Sequence, residues 1–190
     1  MTLRPRASVD VCPLRLVPEI IKRTGARHLV SAIDAALLPT TPEMISPERH
    51  LRLVMHDIVE ARTEQVLPAT EHVMQLLDFV QSWDRREPML IHCYAGISRS
   101  TAAAFITLCA LNPHTPEELI ASGLRRSSET ASPNRLFVAL ADKALRRDGR
   151  MIAAVYGMGQ SRMAPECIPF GLPASYGIGG ELPAYIPNAA

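Results

Sequence analysis

The sequence has no long apolar run and almost no net charge. No stretch of its 190 residues approaches the roughly 20 consecutive apolar residues that span a bilayer, and residues 1–12 lack the apolar segment of a secretory signal. The formal net charge is +1, so any attraction for anions has to be local. We therefore expect a soluble protein with no nucleic-acid and no membrane partner.

The cysteines show neither a CxxC pair nor the spacing of a zinc ribbon. There are four, far apart in the sequence: Cys12, Cys93, Cys109 and Cys167. This pattern predicts free thiols in a reducing compartment, and we expect a cytoplasmic protein. His92 and His114 could complete a zinc site with two of these thiols, but a predicted strand and a predicted helix separate the four residues. We therefore expect neither a metal nor another cofactor.

Length and composition favour one domain with an appendage. Hydrophobic residues make up 47% of the chain, which is enough for a core. Residues 1–150 are predicted to form the domain, and residues 151–190 an extension that holds five of the 16 prolines, six of the 10 glycines and three charged residues. That composition is not typical of a charged disordered tail. Packing on the domain, contact with a partner and lack of structure all stay open for it.

Hydrophobic periodicity predicts strands that alternate with helices. Four strands are expected, at 9–11, 28–33, 50–58 and 88–93. Three helices are expected at 14–24, 68–83 and 100–111, the first of them closed by Gly25. Two later helices are predicted to begin with Thr115 and Ser132 as N-caps, each followed by a proline. The fold class is therefore α/β, with a central, mostly parallel sheet flanked by helices and a helix-rich C-terminal half.

The stretch "IHCYAGISRS" (91–100) carries the most chemistry. It places Cys93 between a predicted strand and a predicted helix, at the mouth of the helix N-terminus. Unpaired backbone N–H groups and the helix dipole favour negative charge there, so they favour the nucleophilic thiolate form of Cys93. Gly96 supplies the dihedral freedom that a tight loop requires. The amides of such a loop can converge on an anion.

Two further side chains complete a predicted anion site. The planar guanidinium of Arg99 matches two oxygens of a phosphate group. The hydroxyl of Ser100 can donate a hydrogen bond to the sulfur of Cys93, which would help the thiolate leave. Thiolate, amides and guanidinium together describe a site for a phosphate monoester that is attacked at phosphorus.

The segment "HCYAGISRS" (92–100) resembles the signature of the cysteine-dependent protein tyrosine phosphatase superfamily, which is His-Cys, five residues, Arg, then Ser or Thr. The part "AGISRS" is most similar to the dual-specificity branch, and "SPNRLF" (132–137) resembles a downstream segment of that branch. The resemblance covers roughly residues 28–147. It implies a protein tyrosine phosphatase-like fold and a metal-free hydrolysis through a phosphocysteine intermediate.

The resemblance also assigns roles to the residues of the signature. Cys93 would be the nucleophile, Arg99 a phosphate ligand and Ser100 the hydrogen-bond donor to sulfur. His92 would support the loop backbone. The residues between Cys93 and Arg99 are expected to hold the substrate phosphate together with the guanidinium: Tyr94, Ala95, Gly96, Ile97 and Ser98.

A general acid on a separate upstream loop is implied as well. Asp57 is the expected residue, because it lies at the end of the third predicted strand and about where this superfamily places its acid. Asp34 also follows a predicted strand and is the rival candidate. Glu60 is a weaker third candidate.

The expected activity is hydrolysis of protein phosphotyrosine, and phosphoserine and phosphothreonine stay open as further substrates. The resemblance implies that relatives specific for phosphoinositides carry extra lysines in this loop; residues 94–98 contain none, which disfavours highly charged inositol phosphates. Two other classes of function are kept as alternatives, a weakly active or inactive relative that binds phosphorylated proteins and a rhodanese-type sulfurtransferase. Phosphoproteins are the expected partners, and the oligomeric state is open.

Overall fold

A five-stranded sheet with two unequal apolar faces organises the molecule. The computed structural model describes residues 7–176. The strand order is β3-β2-β4-β1-β5, and the strands are β1 (Ser8–Pro13), β2 (His28–Ile33), β3 (His50–Val54), β4 (Met89–Cys93) and β5 (Phe170–Pro173). The pairs β1–β4, β4–β2 and β2–β3 are parallel, whereas β5 runs antiparallel to β1. Residues alternate between the two faces along each strand, so every strand contributes to both layers.

Six α-helices within residues 7–176 cover the two faces. They are α1 (Val17–Thr24), α2 (Thr70–Ser82), α3 (Arg99–Leu111), α4 (Glu117–Ser127), α5 (Arg135–Ala144) and α6 (Arg150–Gly157). The helix α1 packs on one face with Leu29 and Leu90. The larger core lies on the other face around α3, which is buried from Arg99 to Cys109. The predicted fold class, a mostly parallel sheet flanked by helices, is confirmed.

The element bounds differ from the predictions at turns and caps. The third strand ends at Val54 and not at residue 58, and the helix predicted at 68–83 spans 70–82. The predicted cap Gly25 is confirmed, with a φ of 72°. Both predicted N-caps of the later helices are wrong, because α4 begins at Glu117 after Pro116 and α5 begins at Arg135 after Asn134.

The cap of α5 has a clear physical reason. The side-chain oxygen of Asn134 accepts a hydrogen bond from the amide of Phe137 at 3.0 Å, which is the standard N-cap interaction. The predicted cap, Ser132, lies two residues earlier, and its amide donates to the carbonyl of Ile97 at 2.9 Å. Ser132 is therefore hydrogen-bonded to the loop before α3, and Asn134 caps the N-terminus of α5.

Residues 151–176 contribute to the same core as the rest of the domain. Met151 and Ala154 of α6 are buried against it, as are Phe170 and Leu172 of β5. The boundary at residue 150 stays a prediction, and the last part of the predicted extension, residues 177–190, lies outside the described residues. Within residues 7–176, each helix is too short or too polar to cross a lipid bilayer.

Candidate active site

The candidate residues meet at one edge of the sheet. Strands β2, β3 and β4 are parallel, so their carboxyl ends lie together, where α/β folds place their ligands. Asp34 follows β2, Asp57 lies three residues after β3, and the cysteine loop, residues 94–98, connects β4 to α3. Parallel pairing therefore brings together side chains that are far apart in the sequence, such as those of Asp34 and Ser98.

The carbonyl groups of the cysteine loop are held from several sides. Four of them accept hydrogen bonds from backbone amides: Tyr94 from Leu14, Ala95 from Cys167, Ile97 from Ser132, and Ser98 from both Ala102 and Asn134. The carbonyl of Cys93, directly before the loop, accepts from His92 Nδ1. In a trans peptide the N–H group points opposite to the carbonyl. Between residues 7 and 176, no group accepts a hydrogen bond from the amides of residues 95–98. The loop thus turns its carbonyls to the protein and leaves these donors to an anion.

Gly96 is required for this arrangement. Its φ is +74°, a conformation that costs other residues free energy. A Cβ atom at this position would lie 2.4 Å from Cys167 Sγ and 2.9 Å from the carbonyl carbon of Cys12. The loop therefore packs directly on the end of β1 and on the segment that contains Cys167.

Cys93 lies at the base of the loop with its sulfur against a hydroxyl group. The residue is 2% exposed, and Ser100 Oγ lies 3.1 Å from Cys93 Sγ. Ser100 belongs to the first turn of α3, so the sulfur also faces the N-terminal end of a helix, where negative charge is stabilised. This is the environment of a thiol that can act as a nucleophile.

Arg99 is buried and only partly hydrogen-bonded. Its Nη1 donates to the carbonyl of Met55 at 2.9 Å, and Asp34 Oδ2 lies 3.8 Å from the same nitrogen. The Nε atom is buried without a partner among the described residues. An unpaired buried donor is costly, and a phosphate oxygen would relieve that cost. Asp34 thus faces the guanidinium, which suits a residue that orients Arg99.

Asp57 occupies a different position, at the exposed rim of the loop. Its Oδ1 accepts hydrogen bonds from Ser98 Oγ at 2.7 Å and from Asn134 Nδ2 at 2.9 Å. Asn134 also donates to the carbonyl of Ile58 at 3.2 Å. These contacts fix one carboxyl oxygen and leave Oδ2 for a ligand. Glu60 is exposed and forms no hydrogen bond or ion pair in the described part of the chain.

The remaining predicted residues frame the loop. His92 is fully buried, and burial lowers its pKa to about 4, so the ring is neutral at physiological pH. Tyr94 is 55% exposed and lies at the rim, whereas Ile97 packs partly against the core. Burial raises the pKa of Cys167 to about 12 and raises that of Cys12 further, so these two nearby thiols stay protonated.

Sequence reasoning missed three residues of this site. Asn134 links the Asp57 segment to the cysteine loop, and its signal was present as an asparagine directly before a helical pattern. Ser31 and His50 form hydrogen bonds behind the loop. Their contribution depends on strand register, which the sequence pattern did not give. No group of three or more His, Cys, Asp or Glu side chains suited to a metal occurs within residues 7–176.

Comparisons with known proteins indicate the family that this chain resembles. The family model of protein-tyrosine phosphatases matches residues 47–122, which include the cysteine loop and Asp57. The resemblance to the cysteine-dependent protein tyrosine phosphatase superfamily is confirmed. No curated protein sequence matches the chain significantly.

Solved structures of this superfamily share the fold. A structure of DUSP15 has a TM-score of 0.57 and 16% identity, covering 87% of this chain and 98% of that one. The PTP-2 phosphatase of Cydia pomonella has a TM-score of 0.57 and 17% identity over 75% and 88% of the two chains. A mouse putative dual-specificity phosphatase complexed with zinc tungstate has a TM-score of 0.54 and 18% identity over 75% and 84%. Family match and fold together support a protein phosphatase.

Proposed function

We propose that this protein hydrolyses protein phosphotyrosine through a phosphocysteine intermediate. The observation that carries the proposal is the cysteine loop itself, whose carbonyls are bound from outside while the amides of residues 95–98 have no acceptor between residues 7 and 176. The buried, unpartnered Nε of Arg99 belongs to the same site. A dianionic phosphate supplies the acceptors that these donors need.

The first step transfers the phosphoryl group to sulfur. The thiolate of Cys93 attacks phosphorus, an S–P bond forms, and the bond from phosphorus to the ester oxygen breaks. The departing oxygen takes a proton from Asp57. Arg99 and the loop amides stabilise the charge on the three equatorial oxygens.

The second step returns the enzyme to its starting state. Water attacks phosphorus and gives its proton to the carboxylate of Asp57, while the S–P bond breaks and inorganic phosphate forms. The hydroxyl of Ser100, 3.1 Å from the sulfur, donates to the departing thiolate. Asp34 keeps the guanidinium of Arg99 oriented through both steps.

The substrate class follows from the rim of the site. Tyr94 offers an exposed aromatic ring at the rim of the site, which suits contact with a phosphorylated aromatic side chain. Phosphoserine and phosphothreonine peptides are included as test substrates. The four thiols, which form no disulfide, fit action in a reducing compartment such as the cytoplasm.

The test compares the wild type with Cys93→Ser, Asp57→Asn and Asp34→Asn on a phosphotyrosine peptide and on para-nitrophenyl phosphate. Cys93→Ser is expected to abolish turnover and phosphoenzyme formation, which mass spectrometry of a rapidly quenched reaction detects. Asp57→Asn is expected to lower kcat on the peptide about 100- to 10,000-fold, and less on para-nitrophenyl phosphate, whose leaving group needs no proton. Asp34→Asn is expected to raise KM. Glu60→Gln, an exposed acid on the same segment, is the matched control.

Three outcomes would contradict parts of the proposal. Turnover by Cys93→Ser would exclude the phosphocysteine route. Loss of activity in Asp34→Asn with normal activity in Asp57→Asn would exchange the roles of the two carboxylates. A wild type that binds tungstate, a tetrahedral oxyanion like phosphate, but hydrolyses no phosphopeptide would be a phosphate-binding module.

A further inference from the structure

A chain of polar side chains lies behind the cysteine loop, on the face of the sheet that α1 covers. Its members come from β2, β3, β4 and the loop before β3, and each is hydrogen-bonded to the next: Arg52, Thr41, His50, Ser31 and His92, ending at the carbonyl of Cys93. The central distances are 2.8 Å from His50 Nε2 to Ser31 Oγ and 2.6 Å from Ser31 Oγ to His92 Nε2. His50 and His92 are both almost completely buried.

The direction of every hydrogen bond in this chain is forced from its inner end. The carbonyl of Cys93 can only accept, so His92 Nδ1, 3.1 Å away, must carry the hydrogen. In a neutral ring the other nitrogen is then an acceptor. His92 is neutral because burial lowers its pKa to about 4. Ser31 must therefore donate its single hydroxyl hydrogen to His92 Nε2.

The same argument fixes the hydrogen-bond directions in the outer half of the chain, from Ser31 to Arg52. Ser31 has already donated its hydrogen, so it accepts from His50 Nε2, which must be the protonated nitrogen. His50 is neutral as well, since burial lowers its pKa to about 4, and its Nδ1 accepts from Thr41 Oγ1 at 2.9 Å. Thr41 in turn accepts from the guanidinium of Arg52. All bonds run one way, from a surface cation to the backbone of the nucleophile.

We propose that His50 and Ser31 are positioning residues for the nucleophile, which act by fixing the tautomer of His92 and the peptide plane between residues 93 and 94. That peptide is trans, so a donor held on the Cys93 carbonyl turns the Tyr94 N–H in the opposite direction. Aligned hydrogen bonds also polarise one another, and their positive ends all point to the residue that bears the thiolate. The inference uses the proposed function only in taking Cys93 as the nucleophile.

Two cations act on the two imidazole rings. The charge of Arg52, itself a member of the chain, acts on His50, and the charge of Arg99 in α3 acts on His92. The thiols of Cys12 and Cys167 lie close to Cys93 and are protonated at physiological pH. None of the named groups is an acid that would compete for the hydrogen atoms of the chain.

The first test reads the tautomers directly. Long-range ¹H–¹⁵N correlation spectra of the imidazole rings at pH 7 are expected to show His92 protonated on Nδ1 and His50 protonated on Nε2, two opposite tautomers in neighbouring rings. The single variants His50→Gln and His92→Gln assign the signals. A His92 ring protonated on Nε2, or either ring doubly protonated at pH 7, would overturn the inference.

The second test measures what the chain does to the nucleophile without using phosphatase activity. The rate of Cys93 alkylation by iodoacetamide is followed from pH 4.5 to 8 by mass spectrometry in Ser31→Ala, His50→Leu and Thr41→Val. We expect the rate at pH 5.5 to fall about three- to tenfold in Ser31→Ala and His50→Leu, the range of one hydrogen bond, and less in Thr41→Val. The amide of His50→Gln can still donate to Ser31, so this variant is expected to stay within about twofold of the wild type.

A matched control comes from the same strand as Ser31. His28 is also a buried histidine of β2, 5% exposed, and its Nδ1 has no partner among the described residues. His28→Leu should leave the alkylation profile unchanged. If His50→Leu and the half-buried Thr41→Val both match His28→Leu, the chain has a structural role only and the inference fails. Alkylation shifts in a protein that lacks phosphatase activity would support the inference and contradict the proposed function.

Discussion

Ser98 Oγ donates a 2.7 Å hydrogen bond to Asp57 Oδ1, which joins the loop after β4 to the segment after β3. The same oxygen accepts from Asn134 Nδ2 at 2.9 Å. One oxygen of Asp57 is therefore fixed by two donors, and the other, Oδ2, takes part in no hydrogen bond among residues 7–176. The position of the candidate acid depends on the cysteine loop and on the start of α5 together.

Asn134→Ser is expected to separate the two roles of Asn134. Serine is an equally good N-cap, so the midpoint of thermal unfolding should change little. The shorter side chain cannot reach Asp57, and a carboxylate that moves by about 1 Å costs up to about a hundredfold in rate. We expect kcat on a phosphotyrosine peptide to fall about ten- to a hundredfold, measured beside Asn134→Ala, which loses the cap as well. Equal activity of Asn134→Ser and the wild type would mean that Ser98 alone positions Asp57.

Gly96→Ala is expected to be far more damaging than Gly25→Ala. Both glycines have a φ above 70°, and a Cβ in that conformation costs about 1–2 kcal/mol. At Gly25 nothing lies within 4 Å of the added atom, whereas at Gly96 it meets Cys167 Sγ and the end of β1. Urea unfolding should show a loss of about 1–2 kcal/mol for Gly25→Ala and a clearly larger loss for Gly96→Ala.

The double variant Gly96→Ala with Cys167→Ala tests the source of that additional loss. Removing the sulfur relieves the 2.4 Å contact but not the contacts of 2.9 and 3.0 Å with the backbone of Cys12 and Pro13. We expect partial recovery of the unfolding free energy. Full recovery would show that β1 moves away freely, and no recovery would show that the sulfur contact is unimportant.

Asp10 is expected to make stability fall as the pH rises from about 4 to 7. It is 9% exposed in β1, and burial raises its pKa from 3.8 to about 6. The folded state therefore holds the proton more tightly than the unfolded state. That stability is fully present below pH 3.8 and is lost as the pH rises through about 6. Asp10→Asn should then be more stable than the wild type by about 2–3 kcal/mol at pH 7.5 and similar to it near pH 4. A difference between the two proteins that does not vary with pH would exclude this account.

A chain that ends at residue 158 is expected to be much less stable than one that ends at residue 176. The removed segment carries β5 and buries Phe170 and Leu172 in the core, and two such side chains contribute about 3–6 kcal/mol. That is a large part of the 5–15 kcal/mol typical of a domain. The midpoints of thermal unfolding of the two chains are compared by circular dichroism. Leu172→Ala in the longer chain is a third sample, in which a smaller loss of stability is expected. Equal midpoints would contradict this expectation and would support the predicted domain boundary near residue 150.

Local patterns predicted the fold class and the proximity of the residues around Cys93. Cys93, Arg99 and Ser100 lie within eight residues on one strand-loop-helix unit, so their proximity follows from local geometry. The position of Asp57 near the cysteine loop could also be predicted, because Asp57 follows a strand and parallel strands end at the same edge of the sheet. The confirmed fold class has the same origin, since alternating strands and helices leave few topologies.

Features that depend on distant pairing were not predictable. The strand β5 contains a glycine and a proline in four residues, and its pairing with β1 spans nearly the whole chain. Ser31 lies opposite His92 only because β2 and β4 pair in that register. The N-cap of α5 was assigned to Ser132, since Ser-Pro is a common helix start, whereas the hydrogen bond from Ser132 to Ile97 depends on a loop 35 positions earlier.

The pairing of β1 with β5 also sets an order of events during synthesis. Ser8 lies opposite Pro173, and at about 5–20 residues per second a ribosome needs roughly ten to thirty seconds to make the chain between them. Throughout that interval β1 lacks its outer neighbour, an open strand edge of the kind that invites wrong partners. The carbonyl of Ala95 likewise lacks its hydrogen-bond donor until Cys167 has been synthesised. Cys93 is therefore synthesised well before the contacts that complete the loop next to it can form.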